Sequence, residues 1–338
     1  MRQAIMTTPG VIEFHDVPEP APGPGKVLLR IKRIGICGSD MHVYHGVQPF
    51  TKYPVVQGHE FSAVVEAVGD GVTGIEPGMK VTGRPQLACG QCRPCRRGDY
   101  HICDSLRVEG FQAPGCAQDL FITDAARVVP LPEHFTFEQG AFVEPVAVAV
   151  RAVSRAGDLT GTNAVVLGAG PIGNLVAQVA AASGAQVLIT DPSEYRLDIA
   201  RACSVANTSQ VGKESLAEAS TRAFDVDGFD VAIECVGIEA TINAAIDNIA
   251  KGGRIVAVGN FPEKPRVNMA LIQDRELCLI GTLMYKHEDY QRAIELIEAG
   301  RVVTTPLETK HFPFEEYLAA YRYIIDQDGK CMKVFMDL

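Results

Sequence analysis

The chain has 338 residues, long enough for two domains that each have a core of their own. Apolar residues make up 47% and charged residues 21%, which is typical of a globular protein and excludes a largely disordered one. The formal net charge of −10 argues against a basic face, so we expect no nucleic-acid partner.

The N-terminal sequence, MRQAIMTTPG, has no apolar segment or small-residue cleavage site of the kind that directs secretion. The longest apolar run, residues 164–182, contains glycines and a proline near its start and lacks flanking basic residues. We interpret it as a buried strand that turns into a helix, so we expect no membrane partner. The ten cysteines then favour a reducing, cytoplasmic location, where disulfides are rare.

The first candidate site combines four residues that are scattered along the chain. Cys37 follows an alternating strand pattern, His59 and Glu60 begin a second strand, and Glu144 lies within an apolar segment. Thiolate, imidazole and carboxylate groups bind zinc, and a set of three leaves the fourth position open for chemistry. Each residue alone is equally compatible with packing or helix capping, so the hypothesis depends on the combination.

Three polar residues follow Cys37 closely. Ser39 and His42 could pass a proton from a substrate hydroxyl towards solvent, although a turn serine and a surface histidine are the alternative. Asp40 could accept a hydrogen bond from the ring of His59 and so orient it.

A second candidate site packs four cysteines into a C-x2-C-x2-C-x7-C pattern: Cys89, Cys92, Cys95 and Cys103. Such spacings can bring four thiolates to about 2.3 Å from one zinc ion. An iron–sulfur cluster is the alternative, but in the bacterial ferredoxin pattern the fourth cysteine follows after three residues and precedes a proline. Here Asp104 follows it, so zinc is preferred. Four protein ligands close the site, which predicts a structural role without chemistry.

A glycine-rich turn predicts a dinucleotide site. The sequence GAGPIG at 168–173 follows a predicted strand and opens a predicted helix, and Asp191 ends the next strand. Glycines in this pattern let the backbone approach a pyrophosphate at the helix N-terminus, and the acid accepts hydrogen bonds from the ribose. We therefore predict NAD as the cofactor.

Further strands are predicted at 229–234, 254–258 and 277–283, with helical patterns between them. This alternation is typical of a doubly wound parallel sheet. The first 145 or so residues instead show short strands and many prolines and glycines. The fold class is therefore α/β, with a β-rich domain followed by a doubly wound Rossmann domain.

Taken together, these motifs resemble the zinc-dependent medium-chain alcohol dehydrogenases over essentially the whole chain. Within that family the resemblance is greatest to the polyol, threonine and sugar-acid dehydrogenase branch. The motifs that carry it are GICGSD at 35–40, GHE at 58–60, the four-cysteine lobe at 89–103, EP at 144–145 and GAGPIG at 168–173.

The resemblance implies a GroES-like catalytic domain at 1–147, a Rossmann NAD-binding domain at 148–285 and a return to the catalytic domain at 286–338. It implies two zinc ions per chain, one structural and one catalytic. Cys37 and His59 would hold the catalytic zinc, with Glu60 as a close or exchanging ligand and Glu144 as the glutamate ligand of the polyol branch.

The resemblance also implies the cofactor contacts. The pyrophosphate loop, the ribose contacts and the nicotinamide lining would comprise Gly168, Gly170, Pro171, Ile172, Gly173, Asp191, Arg196, Val258, Gly259, Asn260, Thr282 and Leu283. One departure from the family pattern is GCAQDLF at 115–121, in which Cys116 has no assigned role.

The implied activity is reversible, NAD-linked oxidation of a secondary alcohol on a sugar acid or polyol to the ketone. The segment GVQPFTKYP at 46–54 resembles a loop of hexonate dehydrogenases, and Lys52 and Arg84 are conceivable partners for a substrate carboxylate. L-Threonine or a simple polyol or diol is the alternative substrate, and a non-enzymatic NAD-sensing or zinc-binding regulator is the alternative function. We expect a small-molecule alcohol or ketone substrate and a homo-oligomer, either a dimer or a tetramer.

Overall fold

The computed structural model describes residues 1–338. The strands, in chain order, are β1 (Arg2–Thr8), β2 (Val11–Asp16), β3 (Lys26–Gly35), β4 (Glu60–Val68), β5 (Lys80–Gly83), β6 (Gln86–Leu87), β7 (Arg107–Val108), β8 (Leu120–Asp124), β9 (Val128–Pro130), β10 (Asn163–Leu167), β11 (Gln186–Asp191), β12 (Asn207–Gln210), β13 (Val231–Glu234), β14 (Arg254–Ala257), β15 (Cys278–Gly281), β16 (Glu308–Pro313) and β17 (Lys333–Asp337).

The helices are α1 (Gly38–Tyr44), α2 (Arg93–Arg96), α3 (Phe137–Arg155), α4 (Pro171–Ala182), α5 (Glu194–Ala202), α6 (Leu216–Phe224), α7 (Glu239–Asn248), α8 (Met269–Asp274), α9 (His287–Glu298) and α10 (Tyr317–Asp326). Short 3₁₀ turns occur at Tyr100–Ile102, Ala125–Arg127, Thr305–Leu307 and Phe314–Glu316. None of the helices combines the length and the apolarity that crossing a bilayer requires.

The chain forms two compact units. The first comprises Met1–Glu144 together with Glu308–Leu338, and the second comprises Pro145–Leu307. These limits differ from the predicted ones mainly at residues 286–307, which we expected to return to the first unit. They belong to the second because the side chain of Gln178 on α4 donates to the carbonyl of Val303 at 3.1 Å and accepts from its N–H at 2.6 Å.

The first unit is built on a seven-stranded sheet of order β16-β17-β3-β4-β5-β9, with β8 also paired to β3. The central strand β3 pairs antiparallel with β17 on one side and with β4 on the other. In this register Gly35 lies opposite both Phe335 and Glu60. The end of the strand that leads to Cys37 is therefore flanked by the start of β4 and by the C-terminal strand.

The second unit contains a six-stranded parallel sheet of order β12-β11-β10-β13-β14-β15. This is the strand order of a doubly wound dinucleotide-binding fold. The residues of β10 and β13 are almost entirely buried, because helices cover both faces of such a sheet. The apolar run at 164–182 forms β10 and α4, as the sequence predicted. The predicted fold class, a β-rich domain plus a doubly wound α/β domain, is confirmed.

Candidate metal centres and dinucleotide site

Three residues of the first unit converge on one point. Cys37 directly precedes α1, His59 precedes β4 and Glu60 is the first residue of β4. The thiol sulfur, an imidazole nitrogen and a carboxylate oxygen all lie within 4.8 Å of one another. The β3–β4 register brings them together, because it aligns the end of one strand with the start of the other.

A buried lysine that the sequence analysis missed joins this cluster. Lys333, the first residue of β17, is 3% exposed, and its Nζ donates to Glu60 Oε2 at 2.6 Å and to the carbonyl of Ile36 at 3.3 Å. Burial disfavours the charged amine, but Glu60 and Cys37 raise the pKa of Lys333 above its usual value. The only signal in the sequence is a lysine that begins an otherwise apolar strand.

The cluster fits a zinc ion. Glu60 Oε1 is buried and has no hydrogen-bond partner, whereas Oε2 is bound by Lys333. A buried carboxylate oxygen without a donor is costly unless a cation satisfies it. A thiol, an imidazole and a carboxylate form the mixed sulfur, nitrogen and oxygen donor set that zinc accepts.

Asp40 lies beside the cluster, between Cys37 and His59. One carboxylate oxygen accepts the N–H of Cys37 at 2.9 Å, and the other lies 3.5 Å from Nδ1 of His59. Although burial opposes the charged ring, Asp40 and Cys37 raise the pKa of His59 well above its usual value. The carboxylate favours a proton on Nδ1, which leaves Nε2 as the ring atom suited to a metal.

The other predicted members of this site are placed differently. Glu144 is 5% exposed within α3, where its charge contributes to the raised pKa of Lys333, but it lies outside the compact Cys37–His59–Glu60 group. Ser39 is half-buried and His42 exposed on α1, with no hydrogen bond between them.

The four predicted cysteines of the second site also converge. Their sulfur atoms lie within 4.8 Å of one another, and the sulfurs of Cys92 and Cys103 are 3.8 Å apart. Four sulfurs placed tetrahedrally at about 2.3 Å from zinc would be separated by about 3.8 Å. The backbone N–H groups of Gln91 and Cys92 lower the pKa of Cys89 to about 6, which favours the thiolate. All ten cysteines of the chain are free of disulfides.

The glycine turn of the second unit has the geometry that a pyrophosphate site needs. Gly168 adopts a φ of +98°, and Gly170 caps the N-terminus of α4. A Cβ atom on Gly173 would lie 1.8 Å from the carbonyl oxygen of Gly168, whereas one on Gly170 would meet nothing within 4 Å. Gly173 is therefore required by packing, and Gly170 leaves open space at the helix N-terminus.

Asp191, at the end of β11, supports this turn. Its carboxylate accepts the N–H groups of Ala169 and Ser193, each at 2.8 Å, and lies 3.6 Å from Arg196 Nη1. The Asp191 side chain is 3% exposed and that of Arg196 is 31% exposed. The carboxylate is thus buried beside a guanidinium that is partly exposed, and each of its oxygens accepts one backbone N–H.

The remaining predicted cofactor residues follow the carboxyl ends of neighbouring strands, where doubly wound sheets bind their ligands. Val258 and Gly259 follow β14, and Thr282 follows β15 with its hydroxyl buried and unpartnered. The sequence analysis missed Glu234 at the end of β13. Its Oε1 accepts the N–H of Gly237 at 2.8 Å and the hydroxyl of Thr241 at 2.7 Å, which fixes the loop that follows.

Of the two candidate carboxylate partners, only one is uncommitted. Lys52 is exposed, whereas Arg84 donates to Tyr100 Oη at 3.2 Å and to the carbonyl of Ala126. Arg84 therefore supports the base of the cysteine lobe. Cys116 is fully buried, and a Cβ on Gly58 would lie 2.9 Å from its sulfur, so the thiol fills space behind the His59 loop.

Two family models match most of the chain. Residues 23–133 match the alcohol dehydrogenase GroES-like domain, and residues 171–299 match the zinc-binding dehydrogenase domain. The chain is 36% identical over 97% of its length to 2-dehydro-3-deoxy-L-galactonate 5-dehydrogenase of Pseudoalteromonas atlantica, of which it covers 95%. The chain belongs to the zinc-dependent medium-chain alcohol dehydrogenase family.

Other relatives place the chain in the polyol and threonine branch. It is 33% identical over 94% of its length to L-threonine 3-dehydrogenase of Idiomarina loihiensis, of which it covers 95%. A zinc-binding dehydrogenase from Sinorhizobium meliloti, solved with bound NADP, superposes with a TM-score of 0.91 at 27% identity, covering all of this chain and 99% of the other. The recognised family and the enzymatic class, a dehydrogenase acting on alcohols, are thus confirmed.

The two metal centres generate the first prediction. Metal analysis by plasma emission should find close to two zinc equivalents per chain, and Cys95→Ser should lose one of them and lower the midpoint of thermal unfolding, because structural zinc contributes to folding. His59→Ala should keep its fold and lose turnover by more than about 100-fold, since even residues that only orient zinc ligands cost about 10–100-fold. A well-folded Cys95→Ser variant without activity would contradict the assignment of a structural role to one zinc and a catalytic role to the other.

The glycine turn generates the second prediction, in which two glycines control for each other. Gly173→Ala should destabilise the free protein by about 1–3 kcal/mol, the usual cost of overpacking, as measured by urea unfolding. Gly170→Ala should unfold like wild type, yet weaken dinucleotide binding in a fluorescence titration, because its methyl group occupies the space a phosphate would need. Equal stability of the two variants would contradict the geometry.

Proposed function

We propose that this protein oxidises a secondary alcohol of a sugar acid or polyol to the ketone, reversibly, with NAD as the hydride acceptor. The observation that carries the proposal is the buried Cys37–His59–Glu60 cluster with its unpartnered Glu60 Oε1. The substrate class is supported by 36% identity to an enzyme of sugar-acid metabolism.

In the proposed mechanism, Cys37 and His59 hold the catalytic zinc, and Glu60 or Glu144 supplies the carboxylate. Bound zinc polarises the substrate oxygen and lowers the pKa of its hydroxyl. Lys333 holds Glu60 by Oε2, so only Oε1 is available to a metal. Asp40 keeps the His59 ring oriented.

The proton and the hydride leave the substrate separately. Ser39 would receive the hydroxyl proton and His42, the exposed member of the pair, would release it to water. No hydrogen bond joins the two side chains, so a bridging water would carry the proton between them. Bound NAD would accept the hydrogen on carbon together with its electron pair, a chemistry that the nicotinamide supplies itself. The products are ketone, NADH and one proton.

In the proposed cofactor site, the backbone N–H groups at the start of α4 face the pyrophosphate and favour its negative charge. Asp191 would accept hydrogen bonds from the ribose hydroxyls, and Arg196 would contact the ribose or adenine. Val258, Gly259 and Thr282 would line the nicotinamide.

NAD should be preferred over NADP, because a 2′-phosphate would bring like charge close to the buried Asp191 carboxylate. Arg196 opposes this effect only in part, since it already faces Asp191. Asp191→Ser should reduce the preference by about 1–3 kcal/mol, the cost of an unpaired buried polar group, as measured by kcat/KM for both cofactors.

Asp191→Asn is the closest neutral comparison, because it removes the charge and keeps one of the two acceptors that the Ala169 and Ser193 N–H groups use. Comparing its unfolding midpoint with that of Asp191→Ser shows how far each variant weakens the glycine turn, separately from its effect on the preference for NAD over NADP. A wild-type preference for NADP would show that the carboxylate does not govern the choice.

The substrate class is tested by kcat/KM on a panel: an aldonate, the alditol of the same configuration, a 3-deoxy-2-keto sugar acid, L-threonine and ethanol. We expect a sugar acid or polyol to exceed threonine and ethanol by at least about tenfold, the effect of about 1.4 kcal/mol of transition-state binding. The aldonate and alditol differ only in the carboxylate, so their ratio measures its contribution. Preference for threonine would favour the alternative activity, and preference for ethanol would contradict both.

We also propose that the chain forms a homodimer or a dimer-based tetramer. β15 is the outer strand of its sheet, paired only with β14, and Leu279 and Leu283 beside it are 47% and 56% exposed. An open, apolar sheet edge is a liability that a second copy can cover. The free thiols of both metal centres are consistent with a reducing compartment, in line with the predicted cytoplasmic location.

Sedimentation at micromolar concentration should therefore show no monomer of the wild-type chain. Leu279→Glu places a charge on the strand edge and should yield monomer, whereas Val211→Glu, at another exposed apolar position of the second unit, should not. A wild-type monomer would contradict the proposal.

A further inference from the structure

A buried glutamine near the candidate metal cluster bonds through its side chain to Asp40 and Tyr321 rather than to the metal-ligand candidates. Gln57 is 2% exposed, and its Nε2 lies 3.4 Å from both the carbonyl and the carboxylate Oδ1 of Asp40. Asp40 itself is 1% exposed. A buried carboxylate requires donors, and here they are the Cys37 N–H and the Gln57 amide, while Nδ1 of His59 lies 3.5 Å away.

The backbone fixes where this amide can point. The Gln57 carbonyl accepts the N–H of Ala117 at 2.9 Å, and a Cβ on Gly115 would lie only 2.4 Å from the same oxygen. Residues 115–117 therefore hold the peptide that follows Gln57, while the Gln57 side chain contacts Asp40.

A tyrosine of the C-terminal segment determines which end of the amide faces Asp40. Tyr321 on α10 is fully buried and donates its hydroxyl to Gln57 Oε1 at 2.9 Å. Because this hydroxyl satisfies the amide oxygen, the NH₂ group is the end that faces the carboxylate. The flipped amide would place its oxygen against the anion, with no donor between them.

The same tyrosine also contacts the helix that carries Asp40. Its ring stacks on Tyr44 with centroids 5.1 Å apart at 26°. Tyr44 follows Asp40 by four residues on α1. The residue that stacks on Tyr321 and the residue that Gln57 contacts therefore lie on the same face of that helix. Tyr317, one turn earlier on α10, lies beside Tyr321 with ring centroids 5.6 Å apart, and its side chain interacts with the Tyr321 hydroxyl.

We propose that Tyr321 and Gln57 are positioning residues for the catalytic metal: the Tyr321 hydroxyl fixes the Gln57 amide, the amide fixes Asp40, and Asp40 orients His59. This inference rests on the proposed function only in requiring a metal at Cys37 and His59. Through this link, a residue of α10 influences the orientation of His59, although α10 follows His59 by more than 250 residues.

The test measures metal release from the fully zinc-loaded protein to a chromogenic chelator, alongside the unfolding midpoint. Tyr321→Phe removes only the hydroxyl and keeps the stacked ring. It should accelerate release of one of the two zinc ions by about tenfold, the lower range for loss of an outer contact to a metal ligand, and leave the other unchanged. Tyr44→Phe is the matched control: it keeps the ring that stacks on Tyr321 and removes a hydroxyl that bonds neither Gln57 nor Asp40, so both ions should leave at the wild-type rates.

Gln57→Leu interrupts the same link without altering α10, and it should also accelerate release of that ion. If Tyr321 acts through Gln57, the double variant Tyr321→Phe/Gln57→Leu should release zinc no faster than Gln57→Leu alone. Cobalt substitution gives a second readout, since a reoriented imidazole should change the visible absorption of the open site in Tyr321→Phe but not in Tyr44→Phe.

Wild-type release rates in a folded Tyr321→Phe variant, or additive effects in the double variant, would overturn the inference. A wild-type chain that retains only one zinc would instead refute the metal centre of the proposed function. A chain with two zinc ions and the expected release rates, but no activity on any alcohol, would refute the proposed reaction and leave the positioning role intact.

Discussion

The arrangement of the first unit depends on one buried ion pair. Lys333 and Glu60 lie within 2.6 Å of each other, and both are almost inaccessible to water. Burying such a pair is costly unless further hydrogen bonds complete it, and removing either partner leaves a buried charge. The carbonyl of Ile36 provides one of these bonds. Gly35 provides the room, since a Cβ there would lie 2.5 Å from Glu60 Oε2. The neighbouring strands β17, β3 and β4 thus carry, in that order, the lysine, the glycine that leaves room for the pair, and the glutamate.

The second unit depends on a different constraint, the close approach of two backbone segments at its glycine turn. The helix α4 can begin where it does only because Gly173 has no side chain against the Gly168 carbonyl. Asp191 then binds this turn to the end of β11 through two backbone N–H groups. A residue predicted for its contact with a ribose is therefore also a structural support of the glycine turn.

The sequence predicted those parts of the molecule that short motifs determine. The glycine turn, the cysteine lobe and the metal-ligand candidates all occur within or beside a recognisable strand. Lys333, Gln57 and Tyr321 escaped prediction because their partners are set by strand register and helix docking across more than 250 residues. The polar strand β12, NTSQ, has no apolar alternation and was missed for that reason. Helix α9 has a clear apolar face, but periodicity cannot tell which unit that face will cover.

The discontinuity of the first unit has a consequence for biosynthesis. Lys333 follows Glu60 by 273 residues, so at ordinary translation rates it emerges roughly 15–55 s later. The uninterrupted second unit is made in that interval and can fold before the first is complete. Until β17 has been synthesised, residues 33–35 of β3 lack the strand that pairs with them on that side, and Glu60 lacks its partner Lys333. Zinc capture by a ribosome-bound chain would therefore occur at a carboxylate that is still solvated, and the final strand would enclose a metal already bound.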